Sequence, residues 1–443
     1  MRKTDLIVIG SGPGGYEIAA EAADKGLDVI IFEKDRLGGT CLNRGCIPTK
    51  CLCASAERLR AVLTAAEFGI EAGSVKADYA SVHRRAEDIV DRLRGDVEAC
   101  LVKATIVRAE ARLLPGRVVE AEGETYTAPR IIIATGSKPA RNLPIPGIEL
   151  ACSSDEMLQA DAVPKSTVII GGGVIGLEFA SILNAFGSEV TVVEMCPEIL
   201  PGFDRDIAKR LRTLMGRRGV KFAVNARVTA IEEGCTVRYS AKNKDFAVNC
   251  DCVLAAIGRA PVELPGAREC GIEHSPKGFI CVNDNFETSV EGIYAVGDAN
   301  GLCMLAHAAT AQARKAMGED IDLQNIPAVV FTEPECAYVG LTSEKADDAD
   351  RHASVKIPFG SNGKALASGY DEGILKLIVE KETGLIAGCH ALGAHASDLV
   401  AEAAVAMRGR LTVRQLAFSM VHAHPSMSEI FSAACARAST ILL

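Results

Sequence analysis

The feature that most constrains this chain is a unit that occurs twice: a strand, a glycine turn, a helix, a second strand and an acid. Leu6 to Ile9 is a short apolar run that reads as a buried parallel strand. It leads into Gly10-Ser11-Gly12-Pro13-Gly14-Gly15, a helical stretch from Tyr16 to Lys25, a strand from Asp28 to Phe32, and Glu33. The same order returns with the strand Ser166 to Ile170, the turn Gly171 to Gly176, a helix from Leu177 to Phe186, a strand from Glu189 to Val193, and Glu194. In both copies the acid lies 23 residues after the first glycine, and the period is 161 residues. Two copies at that period are an internal duplication and not a solenoid.

A glycine triplet alone is weak evidence of function, because glycines gather in turns. Set between a strand and a helix, with an acid about 20 residues on, it predicts a dinucleotide site. The glycines let backbone approach a pyrophosphate, and the helix N-terminus offers free N–H groups. Glu33 and Glu194 are then placed to accept from a ribose diol. A carboxylate at Glu194 repels a 2′-phosphate, which favours NAD over NADP. The competing reading, a sharp loop with a solvated acid, is weakened by the repeat of the whole context.

Directly after the first unit comes Gly38-Gly39-Thr40-Cys41-Leu42-Asn43-Arg44-Gly45-Cys46-Ile47-Pro48-Thr49-Lys50. In a regular helix, Cys41 and Cys46 would be about 7.5 Å apart along the axis, beyond disulfide reach. They can meet only if the chain turns before the helix proper. Gly45 permits that turn, and Pro48 suits a first helical position. Cys46 is then expected at a helix N-terminus, where a thiolate is favoured. From the residues alone, buried thiols, a structural disulfide, a catalytic disulfide and a metal site all remain open. A metal would need four clustered ligands, no histidine is near, and Cys51 and Cys53 on a helix face different ways.

The chain has 443 residues, 48% hydrophobic and 24% charged, which excludes a disordered chain and suggests about three domains at roughly 150 residues each. A net charge of −9 without a basic run argues against nucleic acid. No signal peptide and no membrane span is visible, so the 16 cysteines are expected to be mostly free thiols of a cytoplasmic enzyme. Residues 78 to 103 predict a long helix, and residues 105 to 133 short strands. The last hundred residues predict strands Leu375 to Glu380 and Gly384 to Leu392 and a helix Ala396 to Arg408. Pro144 to Gly147 reads as a linker. The expected fold is α/β: two Rossmann-like dinucleotide-binding domains, 1–147 (completed by 264–327) and 148–263, and a C-terminal α+β interface domain, 328–443.

Taken together, these residues resemble the flavin-dependent pyridine nucleotide–disulfide oxidoreductases. The cysteine motif carries most of the resemblance. It extends to Ala134-Thr135-Gly136-Ser137, to Gly292 through Asp298, and to His422-Ala423-His424-Pro425-Ser426-Met427-Ser428-Glu429. Within the family, the chain is most similar to the branch that oxidises dihydrolipoamide with NAD. The resemblance implies that Cys41 and Cys46 form a redox-active disulfide. Cys46 lies beside the flavin in a charge-transfer complex, and Cys41 exchanges with substrate. Lys50 pairs with Glu178 near flavin N5. His424, held by Glu429, is the base and comes from the other subunit of a homodimer; a lone histidine before proline would otherwise read as a turn residue.

FAD is implied at Gly10, Gly12, Gly15, Glu33, Gly39, Thr40, Lys50, Thr135, Gly136, Asp298, Leu305, Ala306 and His307. NAD is implied at Gly171, Gly173, Gly176, Glu194 and Gly258. No resident metal is expected. Implied partners are a lipoyl-carrying protein or the acyltransferase core of a 2-oxo acid dehydrogenase complex, or the glycine cleavage system. No nucleic acid or membrane partner is implied.

Some positions depart from the family pattern. Val262 stands where relatives usually carry Asn, Ser426 where Thr is common, and only 19 residues follow His424, so the tail of the dimer contact is expected to be trimmed. No lipoyl domain precedes the first unit. Glutathione- or trypanothione-reductase-like chemistry would call for basic residues after Glu194, where Met195, Cys196 and Pro197 stand. Mercuric-reductase-like chemistry would call for a C-terminal cysteine pair, where only Cys435 is found. Soluble transhydrogenases lack the cysteine pair, and a non-catalytic flavoprotein scaffold or redox sensor would be expected to have lost Cys41, Cys46 or His424.

Overall fold

The computed structural model describes residues 1–141, 143–346 and 350–442. Its first unit is a five-stranded sheet in the order Ile293–Ala295, Arg130–Ile133, Leu6–Ile9, Val29–Phe32, Thr105–Val107, parallel throughout. Alternate side chains of one strand feed two different cores. Leu6 and Val8 pack with Ile18, Ala19 and Leu101, while Ile7 and Ile9 pack with Leu113, Ile131 and Leu264. Burial on both faces is why these strands are unbroken apolar runs.

The second unit is a four-stranded parallel sheet in the order Lys221–Ala223, Glu189–Val193, Ser166–Ile170, Cys252–Ala255. A three-stranded antiparallel meander, Ala226–Glu232, Thr236–Ala241 and Lys244–Asn249, is inserted before its last strand. A two-stranded contact between Ser137–Pro139 and Arg259–Pro261 joins the segments leaving the two parallel sheets. The C-terminal sheet is antiparallel, in the order Ala328–Val330, Cys336–Gly340, Ile386–Leu392, Ile374–Glu380, His352–Pro358, with helices Ala396–Arg408 and Glu429–Ile441 packed on it. The architecture is therefore the expected pair of parallel nucleotide-type units and an α+β C-terminal unit. Among the described residues no helix is long and apolar enough to cross a membrane.

Local boundaries differ from the sequence reading in an instructive way. The helices after the glycine turns start earlier than expected, at Pro13 and Val174, and end at Asp24 and Ala185. Pro13 occupies the first turn, where its fixed φ suits a helix and its missing N–H costs nothing. Gly14 is needed inside that turn: a Cβ there would lie 3.0 Å from Ala309, on the crossing helix Ala306–Ala316. The long helix runs over Tyr79–Cys100, capped by the Asp78 carboxylate accepting from Ser81 N. The C-terminal helices Val413–Phe418 and Glu429–Ile441 were not anticipated.

Candidate functional site

Each glycine turn divides its glycines by what surrounds them. Gly10 and Gly171 have φ of +102° and +109°, and a Cβ on them would meet the carbonyl oxygens of Ala134 and Ala256 at 2.4 and 2.3 Å. Gly15 and Gly176 sit over the carbonyls of Gly10 and Gly171, at 2.0 and 2.1 Å from an added Cβ. These four are required by the fold. Gly12 and Gly173 differ: their backbone is extended, and nothing lies within 4 Å of an added Cβ. No protein atom demands a glycine there, so the open space suits a ligand that approaches the backbone closely. The prediction is a clean split. Gly173→Ala leaves the thermal midpoint level or slightly raised, by the equivalent of about 0.4–1 kcal/mol, while NAD affinity, read by fluorescence quenching, falls at least about tenfold. Gly171→Ala loses roughly 3 kcal/mol or more of stability through strain and overpacking.

The acids complete both turns with the same pair of backbone bonds. Glu33 Oε2 accepts from Ser11 N at 2.9 Å and Ser11 Oγ at 2.6 Å, and Oε1 from Asp35 N at 2.8 Å. Glu194 Oε2 accepts from Gly172 N and Oε1 from Cys196 N, both at 2.6 Å. Both carboxylates are buried at strand ends. Fixed this way, each keeps acceptor lone pairs for a hydroxyl pair. Two dinucleotides fit these cradles on the combined ground of open glycines, free helix N-termini and pinned acids.

One continuous cavity of about 1630 Å³ connects the two cradles. Gly10, Gly12, Glu33, Gly39, Thr40, Thr135, Gly136, Asp298, Leu305, Ala306 and His307 line it on the side of the first unit, and Gly171, Gly173, Glu194 and Gly258 on the side of the second. Gly15 and Gly176 are not among its lining residues, consistent with their packing role. Cys41, Cys46, Lys50 and Glu178 also line it, Lys50 reaching Glu178 on the helix that follows the second glycine turn.

The cysteine segment breaks where the disulfide-reach argument requires. Gly39–Arg44 is a short helix, Gly45 leaves helical geometry at φ −145° and ψ −112°, and an 18-residue helix begins at Cys46. A Cβ on Gly45 would sit 2.9 Å from the carbonyl oxygen of Thr40, so the fold-back needs a glycine. Pro48 is the third helical residue and not the first as expected, still within the turn whose N–H groups have no partner. Both cysteines stand as free thiols, close enough to influence one another. The neighbouring Cys41 thiol, helped by the Lys50 charge, lowers the Cys46 pKa to about 7 against the opposing effect of burial. The same neighbour and burial push the Cys41 thiol up.

Lys50 Nζ lies 3.0 and 2.9 Å from the two oxygens of Glu178 and 4.6 Å from the centre of the Phe331 ring. Glu178, with only 5% of its side chain exposed, also accepts from Phe331 N at 2.9 Å. Glu178 is the buried member, and removing Lys50 strands its charge at a cost of about 3–5 kcal/mol.

Asp298 follows the strand Ile293–Ala295 and accepts from Ser137 Oγ, which in turn accepts from Arg259 Nε at 2.7 Å. His307, at the start of its helix, directs Nε2 to the Pro327 carbonyl at 2.9 Å and also lines the cavity. His424 and Glu429 lie apart from this cavity. His424 Nδ1 is 2.9 Å from Glu429 Oε1, and the imidazole is 80% exposed. A carboxylate accepting from Nδ1–H leaves Nε2 as the basic nitrogen. Glu429 is held below the usual carboxylate range, first by Ser426 N and then by His424. His422 instead meets Glu402 at 2.7 Å.

The sequence reading missed Phe331 and Arg259, and it named Ser137 only within a motif; their contacts cross more than 100 residues. Among the described residues no cluster of three or more metal-ligating side chains is present.

Comparison with known proteins agrees with this arrangement. Residues 4–313 match the pyridine nucleotide-disulphide oxidoreductase family and residues 326–435 its dimerisation domain. The chain is 38% identical to a dihydrolipoyl dehydrogenase of Geobacillus stearothermophilus over 97% of its own length and 94% of that protein. It is 38% identical to the dihydrolipoyl dehydrogenase of Thermus scotoductus, over 97% and 96%. Among solved structures, the HOCl-induced flavoprotein disulfide reductase RclA from Escherichia coli superposes with a TM-score of 0.86 at 27% identity, covering 98% of this chain and 99% of that one. The twin glycine cradles, the paired cysteines in the same cavity and the matches over nearly the whole length place this chain in the pyridine nucleotide-disulphide oxidoreductase family.

Proposed function

We propose that this protein oxidises protein-bound dihydrolipoamide to lipoamide and reduces NAD to NADH, with FAD between the two. The observation that carries the reading is the placing of a thiol pair and an ion-paired lysine together with two dinucleotide cradles in one cavity. The curated relatives at 38% identity support the choice of dithiol. In this reading the chain divides as 1–147 with 264–327 for FAD, 148–263 for NAD, and 328–443 for pairing with a second copy. Phe418, Met420 and the 99%-exposed Val421 stand just before His424, an apolar surface suited to that pairing.

The residues would act in sequence. Nε2 of His424 from the partner subunit takes the proton of one substrate thiol. The thiolate attacks Cys41 of the Cys41–Cys46 disulfide, and Cys46 leaves as a thiolate eased by Lys50 and the helix N-terminus. The second substrate thiol displaces Cys41 and closes the lipoamide ring. FAD, when bound, supplies the two-electron step that carries reducing equivalents from the thiol pair to the nicotinamide. Gly10, Gly12, Glu33, Thr135, Gly136 and Asp298 would hold FAD; Gly173, Gly258 and Glu194 would hold NAD. A lipoyl-carrying protein, as part of a 2-oxo acid dehydrogenase complex or the glycine cleavage system, would present the substrate.

The test is NADH formation by FAD-loaded protein given dihydrolipoamide and NAD, with NADP in parallel. Turnover with NAD and little with NADP is expected. Absence of turnover in a protein whose disulfide NADH can reduce would move the assignment to another disulfide substrate. A pH titration adds a second check. In dithiol protein, the ultraviolet thiolate absorbance lost in Cys46→Ser is expected above pH of about 7 and to fade as pH falls through that value. A midpoint near the ordinary thiol value of about 8.5 would remove Lys50 and Cys41 as its cause.

A further inference from the structure

A second thiol pair lies outside the site just described. Cys152 and Cys252 have their sulfurs 3.5 Å apart. Cys252 opens the strand Cys252–Ala255, which is the edge of the second parallel sheet. Cys152 lies on an extended segment that covers that edge: its N–H donates to Val253 O at 2.8 Å, and its carbonyl accepts from Ala255 N at 2.9 Å. Both thiols are half-buried, and neither lines the large cavity. They are 100 residues apart in sequence and bracket nearly all of the second nucleotide unit.

We propose that Cys152 and Cys252 are a reversible oxidation site, closing a disulfide under hydroperoxides that staples the two ends of the second nucleotide unit. Either sulfur can donate across the 3.5 Å contact, and Cys252, whose pKa the neighbouring Cys152 thiol lowers, is taken as the attacking thiol. Its thiolate attacks one peroxide oxygen, the O–O bond breaks, and hydroxide leaves and takes up a proton as water. Cys252 is then a sulfenic acid. Cys152 sulfur attacks Cys252 sulfur, the S–O bond breaks, and a second water departs with the thiol proton. Two thiols lose two electrons, and the peroxide gains them.

The sulfurs must close to a bond length of about 2.05 Å. Cys152 pairs across the edge with Leu254 and not with Cys252, so closure draws the covering segment along the strand by a fraction of a residue. Thiol–disulfide exchange with an external dithiol reverses the bond. Closing so long a loop restricts the unfolded chain and raises thermal stability.

The test uses the full-length FAD-loaded protein, reduced, treated with hydrogen peroxide, quenched in acid, alkylated with N-ethylmaleimide and digested without reduction. The expected products are the Cys41–Cys46 disulfide and a second cross-linked species joining the peptides that carry Cys152 and Cys252, released by dithiothreitol, with loss of alkylation at both. Oxidation is also expected to raise the thermal midpoint, and that rise is lost in Cys152→Ser, in which dimedone traps Cys252 as a sulfenic acid and dihydrolipoamide turnover is unchanged. The proposal is overturned if both cysteines stay fully alkylated while Cys41 and Cys46 oxidise. It is equally overturned if Cys252 proceeds to sulfinic acid in the unmutated protein with no cross-link. Peptide mapping of the unmutated protein decides the matter whether or not the variant folds.

Discussion

Cys46→Ser is expected to lower dihydrolipoamide-dependent NAD reduction by on the order of 10³-fold or more, the scale seen when a unit-acting nucleophile is removed, while FAD content stays unchanged. The asymmetry follows from position. Cys46 lies at the first residue of its helix, within the influence of Lys50, and has the lowered thiol pKa of the pair. Its loss removes the thiol so placed but leaves the glycine cradle and Glu33 intact. Transfer of reducing equivalents from NADH to an artificial one-electron acceptor bypasses the cysteines and is expected to survive. Flavin absorbance after gel filtration, together with both steady-state assays, measures the split. Dithiol turnover within a few-fold of the unmutated protein would sink the disulfide route.

His424→Gln is expected to cut dithiol oxidation by about 10²–10⁴-fold, the range for a positioned general base. NADH oxidation by the artificial acceptor should be untouched. Glutamine keeps a side chain of similar reach but has no basic nitrogen. The substrate thiols are mostly protonated near neutral pH, so the base acts on them and on no later step. Raising the pH should partly restore the variant, because the substrate then supplies its own thiolate. Equal loss in both assays would make His424 a structural residue of the turn that Glu429 holds through Ser426 N.

What could be read from the residues was whatever is encoded locally. The two glycine turns, their acids and the cysteine motif each lie within a few tens of residues, and the physical demands on them are visible in order along the chain. The helix starts were misplaced because Gly14 and Gly176 look like turn residues. They are helical glycines required by the close approach of Ala309 and of the Gly171 carbonyl. The helix Glu429–Ile441 carried a signal that was passed over: Ile430, Phe431, Ala434, Cys435 and Ala438 fall at helical spacing and form its buried face. The helix Val413–Phe418 also carried a signal: Thr412 and Gln415 form a reciprocal capping box, a pattern visible in sequence. The Ser137–Arg259–Asp298 chain and the Phe331 contact to Glu178 arise only when distant segments meet. The Cys152–Cys252 approach has the same origin. Nothing in the spacing of those two cysteines distinguishes them from the rest.

In the proposed arrangement each reaction centre takes its thiols from one subunit and its base from the other, since His424 stands exposed and away from the cavity that holds Cys41 and Cys46. Its most direct test is a heterodimer of one Cys46→Ser subunit and one His424→Gln subunit, purified by two different tags and assayed for dihydrolipoamide-dependent NADH formation. Such a dimer rebuilds one intact centre, from the thiols of the His424→Gln subunit and the histidine of the Cys46→Ser subunit. The account predicts activity near half that of the unmutated dimer. A heterodimer no more active than either variant alone would contradict it, because both centres would then be broken within their own subunits.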